Sequence, residues 1–281
     1  MIHQEFDITF FNRIFEIDNL RQEAKNDLLK PEGEIITSPY HMSVVEQLRQ
    51  EGLNGRVAPS VPTDVFVFAD GEPSNRACTK VGGLPYWPKS IGWPTTELAL
   101  PLAFVGQICF ADSKDIVPAV PGDILVILAD YEELMEDITS KEALYFYWFH
   151  LIDDELVDGG NTSSTEWNIQ ARFGVRHRSR DYVEQVPEFK AYRRSYDLQC
   201  IEGTKIGGIP RWIQGDPKLE GEFIASLGSI LPHFHAPYPF VNQPEPINSF
   251  HSPDDLMWDD VGSLYLAIAE DGSLDWTIQS Y

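Results

Sequence analysis

Lys80-Val81-Gly82-Gly83-Leu84-Pro85-Tyr86-Trp87 recurs as Lys205-Ile206-Gly207-Gly208-Ile209-Pro210-Arg211-Trp212, with five identities and two conservative exchanges in eight positions. Two adjacent glycines permit positive φ or close chain approach, the proline fixes φ of the next turn residue, and the tryptophan supplies a large anchor. The element therefore reads as a backbone corner used twice, with Gly82, Gly83, Pro85, Trp87, Gly207, Gly208, Pro210 and Trp212 as its structural residues. A second reading is an anion cradle, since Lys80 and Lys205 flank turns rich in free amides. No G-x-x-x-x-G-K-[ST] or G-x-G-x-x-G pattern follows a strand, so the phosphate-loop comparison fails.

Matching stretches follow each corner in the same order. Phe104-Val105-Gly106-Gln107-Ile108 aligns with Phe223-Ile224-Ala225-Ser226-Leu227, and Gly122–Asp130 with Gly262–Glu270. This order implies an internal duplication, two similar β-rich halves over about 60–150 and 180–281. Around the corners, short apolar runs at Val65–Ala69, Leu102–Phe110, Asp123–Ala129, Leu144–Leu151, Glu222–Leu227, Ser263–Ala269 and Asp275–Ser280 read as strands, with glycines and prolines mostly between them. Residues 9–30 and 42–53 have helical spacing. The expected fold is thus α+β and strand-dominated, with an N-terminal helical segment at 1–58 and the duplicated domain at 59–281.

The ordered set Thr79–Pro88, Gly92-Trp93-Pro94, Pro101–Ile108 and Leu125 after Pro121-Gly122 resembles the YwqG-like family of domains of unknown function, with Lys205–Gln214 as the second glycine element. The resemblance runs from about residue 60 to the C-terminus. It implies a bacterial-type, soluble, strand-rich protein without assigned catalytic residues. Members encoded beside polymorphic or type VI secreted toxins suggest an immunity role. Where the family carries a glutamine in the second half, this chain has Ser226.

Charge sets limits on partners. With 21 basic and 44 acidic residues in 281, the net charge of -23 disfavours nucleic acid and anionic membranes. The N-terminus lacks a secretory pattern, no apolar run reaches membrane-spanning length, and Cys78, Cys109 and Cys200 match no zinc or redox motif. A cytoplasmic address with reduced thiols is expected. The acid concentrates in Asp130, Glu132, Glu133, Glu136 and Asp137, interleaved with Tyr131, Leu134 and Met135, and again in Asp153, Asp154 and Glu155. Such a surface suits a basic protein, charge steering the encounter and apolar groups holding it; it equally suits a solvated helix start. Residues 171–200 are the exception, with 7 basic and 4 acidic side chains, among them Arg172, Arg176, Arg178, Arg180, Lys190, Arg193 and Arg194. They can pair internally or take an anionic ligand.

Catalytic constellations are sparse. His233 and His235 would share one face of an extended segment and could bind a metal with His251, Asp254 and Asp255, or simply lie in a proline-rich loop. His150 beside Asp153, Asp154 and Glu155 could act as acid or base, or sit in a solvated turn. Neither Cys109 nor Cys200 has the setting of a nucleophile. The sequence thus favours a non-enzymatic binding module with no cofactor or metal, an immunity protein whose partner is a basic toxin domain. The alternative is an enzyme or a small-ligand or metal-binding domain with a cleft between the halves.

Overall fold

The computed structural model describes residues 46, 49–151, 154–158, 167–191, 198–230 and 254–281. The expected helix at 9–30 and the histidines at 233, 235 and 251 lie outside these residues; 49–53 are helical. Among the described residues ten strands form one antiparallel sheet: β1 (Ser60–Asp70), β2 (Lys80–Val81), β3 (Ala103–Cys109), β4 (Ile124–Ala129), β5 (Leu144–Phe149), β6 (Arg172–Tyr182), β7 (Lys205–Gly207), β8 (Glu222–Gly228), β9 (Ser263–Ile268) and β10 (Leu274–Gln279). Among the described residues no helix is long and apolar enough to cross a membrane.

The strand order is β10-β9-β8-β7-β1-β6-β2-β3-β4-β5. Its centre is the β1–β6 pair, in register over eleven residues from Ser60↔Tyr182 to Asp70↔Arg172. On either side the arrangement repeats: a short corner strand, then three hairpin-connected strands. The long central strands cross over in the sequence: β1 pairs with the later corner strand β7, while β6 pairs with the earlier corner strand β2. Both third strands carry an irregularity at the same place, between Phe104 and Gly106 in β3 and between Phe223 and Ala225 in β8. An extra residue there strengthens the local twist and helps the sheet to curl.

Curling brings the inner faces of both sides into one core. Val105, Ile108, Leu125 and Ile127 pack in the same cluster as Ile224, Leu227, Leu264 and Leu266. The rings of Phe146 on β5 and Trp276 on β10 stand 6.1 Å apart, so the two ends of the sheet meet across this core. A second cluster, Trp87, Phe104, Ile124, Val126 and Leu128 with Trp93 and Tyr147, covers the outer face of β3–β5 alone. Residues on β4 alternate between these clusters, the period of two that a strand buried on both faces requires. The basic stretch 171–200 is in part a strand: Arg172 to Tyr182 is β6, the central partner of β1.

Candidate functional site

Each corner is closed by its own lysine. Lys80, fully buried, donates from Nζ to Glu72 Oε2 and to Leu84 O at 2.9 Å, while the Leu84 N–H donates to Glu72 Oε1 at 2.6 Å. Lys205 repeats the pattern, with Asp181 Oδ2 at 2.7 Å, Ile209 O at 2.5 Å, and the Ile209 N–H on Asp181 Oδ2 at 2.9 Å. The anion in each cradle is therefore a carboxylate of the chain itself. The second glycine of each pair makes room for it: a Cβ would stand 1.7 Å from Glu72 Oε1 at Gly83 and 2.3 Å from Asp181 Oδ2 at Gly208, and both have φ near +70°. Burial pulls the Lys80 pKa down against the opposing pull of Glu72. Trp87 is buried against Trp93, Tyr147 and Phe149, whereas Trp212 is half-buried against Phe223 and Tyr265.

The glutamine of the first half also has a structural meaning. Gln107 accepts the Tyr86 N–H at 2.7 Å and donates to the carbonyls of Arg76 and Cys78, tying the first corner to the loop before it. Ser226, its counterpart, donates to Gly203 O at 2.6 Å.

The acidic residues fall into two separate places. Asp130 caps the helix Tyr131–Glu136, its carboxylate accepting the Glu133 N–H, and Glu132 and Glu133 lie in the first turn, where the helix dipole favours them. Tyr131 packs on Trp167, Leu134 is buried, Met135 is exposed, and Asp137 accepts from the Thr139 N–H and hydroxyl. Partial burial raises the pKa of Tyr145, at the start of β5, and the carboxylates of Asp130, Glu142, Glu97 and Glu133 raise it further. Carboxylates from two connections, Glu97 between β2 and β3 and the other three between β4 and β5, therefore act on one phenol. Glu97 comes from a hairpin tip where Ala99 has φ +60° and the Ala99 N–H donates to Thr96 O, and this tip presents Leu98 at 75% and Leu100 at 49% exposure. Glu97 and Glu142 are the members that sequence reading missed: Glu97 lies in another connection and Glu142 stands outside the acidic run that ends at Asp137, so neither carries a local signal.

Asp154 and Glu155 lie apart from this group and are engaged locally, with Ser90 Oγ on Asp154 at 2.8 Å and Lys89 Nζ on Glu155 at 2.7 Å. Asp153 is outside the described residues. Arginines of β6 pair internally with acids outside the 130–158 stretch: Arg172 with Asp255 at 2.6 Å, Arg176 with Asp64 at 3.3 Å, and Arg178 with both Asp64 and Asp115. Asp64 is fully buried and also accepts from Ser113 Oγ.

Other candidates are placed as follows. His150 is 72% exposed, with Nδ1 3.5 Å from Asp123 rather than beside Asp154 or Glu155. Asp255, offered as a metal ligand, is committed to Arg172. Burial pushes the thiols of Cys78 up to about 12 and of Cys109 and Cys200 to about 11, so none is a ready nucleophile. A cavity of about 250 Å³ lies beside Cys200, lined by Tyr182, Val186, Phe189, Gln199 and Ile209. Among the described residues no group of three His, Cys, Asp or Glu side chains is placed to hold a metal.

The profile of the family described as Domain of unknown function (DUF1963) matches residues 79–275, from the first corner to the last strand. Comparison with the curated proteins finds no match.

Proposed function

The chain belongs to the DUF1963 family of domains of unknown function, and on that premise we propose that it is a non-enzymatic protein-binding module, an immunity protein that neutralises a cognate secreted toxin. The observation that carries this reading is the acidic character at the start of β5, where the carboxylates of Asp130, Glu142, Glu97 and Glu133 act on Tyr145 and Glu97 stands next to the exposed Leu98 in the same hairpin tip as Leu100. Opposite charge would steer a basic toxin domain to this face, and the apolar groups would slow its release. Glu132, Glu136 and Asp137 extend the acidic rim along the same helix and its C-terminal cap. Asp154 and Glu155, already engaged with Ser90 and Lys89, are secondary to it.

We further read β1–β5 and β6–β10 as two copies of one unit, in the manner of the YwqG-like domains that the sequence resembles. The paired lysine corners and the matching irregularities in β3 and β8 support this reading. The cytoplasm of a bacterium is the compartment that fits such a role. The reading of an enzyme or ligand-binding cleft gains less support, because the β6 arginines are engaged with buried or neighbouring carboxylates and the thiols are raised.

Co-expression with the toxin encoded beside it should restore growth and give a complex on size exclusion. An adjacent toxin left fully active sinks the immunity reading. Replacing Glu132, Glu133, Glu136 and Asp137 by lysine should slow association by about tenfold or more at low salt. An unchanged association rate removes that helix from the interface.

A further inference from the structure

β5 ends the sheet, and among the described residues no strand pairs with its outer edge. The register Ala129↔Leu144 continues to Asp130↔Ala143, where the Asp130 N–H donates to Ala143 O. Alternation of an antiparallel ladder then turns the backbone groups of Tyr145, Tyr147 and Phe149 toward β4 and those of Leu144, Phe146 and Trp148 outward. Side chains alternate with the same period. Leu144, Phe146 and Trp148 belong to the inner core, while Tyr145, Tyr147 and Phe149 lie on the outer face.

The connection into β5 is tied to the other end of the sheet. Lys141, just before β5, donates to the main-chain oxygen of Trp276 on β10, pairs with Asp275 at 2.7 Å, and stands 4.7 Å above the Trp276 ring. The basic side chain next to β5 in the sequence is thereby committed to β10, and the charges that act on Tyr145 of β5 are carboxylates.

We propose that the outer edge of β5 is where the partner docks, through an extended basic segment that adds as a further antiparallel strand. This rests on the protein-binding reading above and deepens it by stating the recognition chemistry. Main-chain hydrogen bonds to Leu144, Phe146 and Trp148 would supply affinity, and the alternating faces would set the sequence. Residues opposite Leu144, Phe146 and Trp148 extend the inner core and are apolar. The residues between them stand beside Tyr145 and Tyr147 and are lysine or arginine, opposite in charge to the carboxylates that act on Tyr145. The segment recognised therefore alternates apolar and basic residues over about six positions.

The test uses the full chain and a synthetic eight-residue peptide of alternating valine and arginine, with binding followed by calorimetry. Two further peptides carry N-methyl groups either on the valines, whose N–H groups face β5, or on the arginines, whose N–H groups face away. The expected result is saturable binding, weakened about tenfold or more by methylation of the valines and little by methylation of the arginines. The double variant Glu97→Gln, Glu142→Gln should weaken the parent peptide several-fold and flatten its salt dependence. Equal effects of the two methylation patterns overturn strand addition, as does absence of binding. Concentration-dependent dimers of the chain that the peptide dissociates would assign the edge to a second copy and overturn a foreign partner. Each of these failures leaves the toxin-binding reading standing, because that is judged by rescue of growth. Failed rescue with the methylation pattern intact would sink the immunity reading and spare the edge.

Discussion

The two glycine corners share lysine, glycines, proline and tryptophan, and both close on a carboxylate of the chain, yet their surroundings differ. At the second corner Asp181 is fully buried and takes N–H groups from Ile201 and Ile209 besides Lys205. At the first, Glu72 keeps 37% of its side chain in water. The tryptophans show the reverse: Trp87 is 1% exposed in an aromatic cluster, and Trp212 is half-buried. One corner is held chiefly by its ion pair and the other by its ring. A repeated motif thus fixes the same backbone path with different shares of electrostatics and packing.

Removing each anchor should separate the two. Lys205→Met strands Asp181 in a dry site and should cost about 3–5 kcal/mol in urea denaturation. Lys80→Met should cost about half as much, since Glu72 can rehydrate. Equal losses would mean that burial of the acid is not what distinguishes the corners. Trp87→Ala should cost about 3–4 kcal/mol, and Trp212→Ala less than half of that. The opposite ranking would refute the division between ring and ion pair.

Gln107→Ser copies the second half into the first and leaves the Tyr86 N–H without its acceptor, for about 1–3 kcal/mol. A neutral result would show that the first corner does not depend on that tie. The smallest effect concerns acid. The ammonium of Lys114 holds the Asp123 carboxyl below the usual carboxylate range, and Asp275 is also held low, where Lys141 and backbone donors outweigh a burial that acts in the opposite direction. Both acids therefore contribute stability that is present above about pH 4 and lost as pH falls through their lower native values. Asp123→Asn and Asp275→Asn should each flatten the acid limb of the stability curve, and a limb unchanged in both would show that other carboxylates set it.

Strands with continuous apolar runs were legible from sequence because burial on both faces leaves no other composition, as in Ile124–Ala129. The corner repeat was legible because glycine and proline answer local geometry. β6 was missed because its charges masked its period: Arg176, Arg178 and Arg180 alternate at two, and that spacing was the available signal. Their partners Asp64 and Asp115 lie more than sixty positions away, which no local pattern encodes. The acidic helix was visible as a cluster, but its union with Glu97 depends on how the β2–β3 connection comes to the start of β5, and Glu142 stands apart from the run in the sequence. Asp154 and Glu155 looked equivalent to that cluster until the structure placed Ser90 and Lys89 against them.

The pairing of β1 with later strands also has a temporal side. β1 finds its neighbours only in β6 and β7, more than a hundred residues further along the chain. During synthesis at about 5–20 residues per second, β1 remains unpaired for on the order of ten seconds after it leaves the ribosome. Neither half can complete its own sheet in the meantime, so the domain closes late and as a unit, in the slow class of non-local topologies. Truncation before β7 would leave β1 with an open edge, a strand exposed to aggregation. The pairing that ties the two sides together in the finished protein makes its nascent form depend on protection until nearly three quarters of the chain has been made.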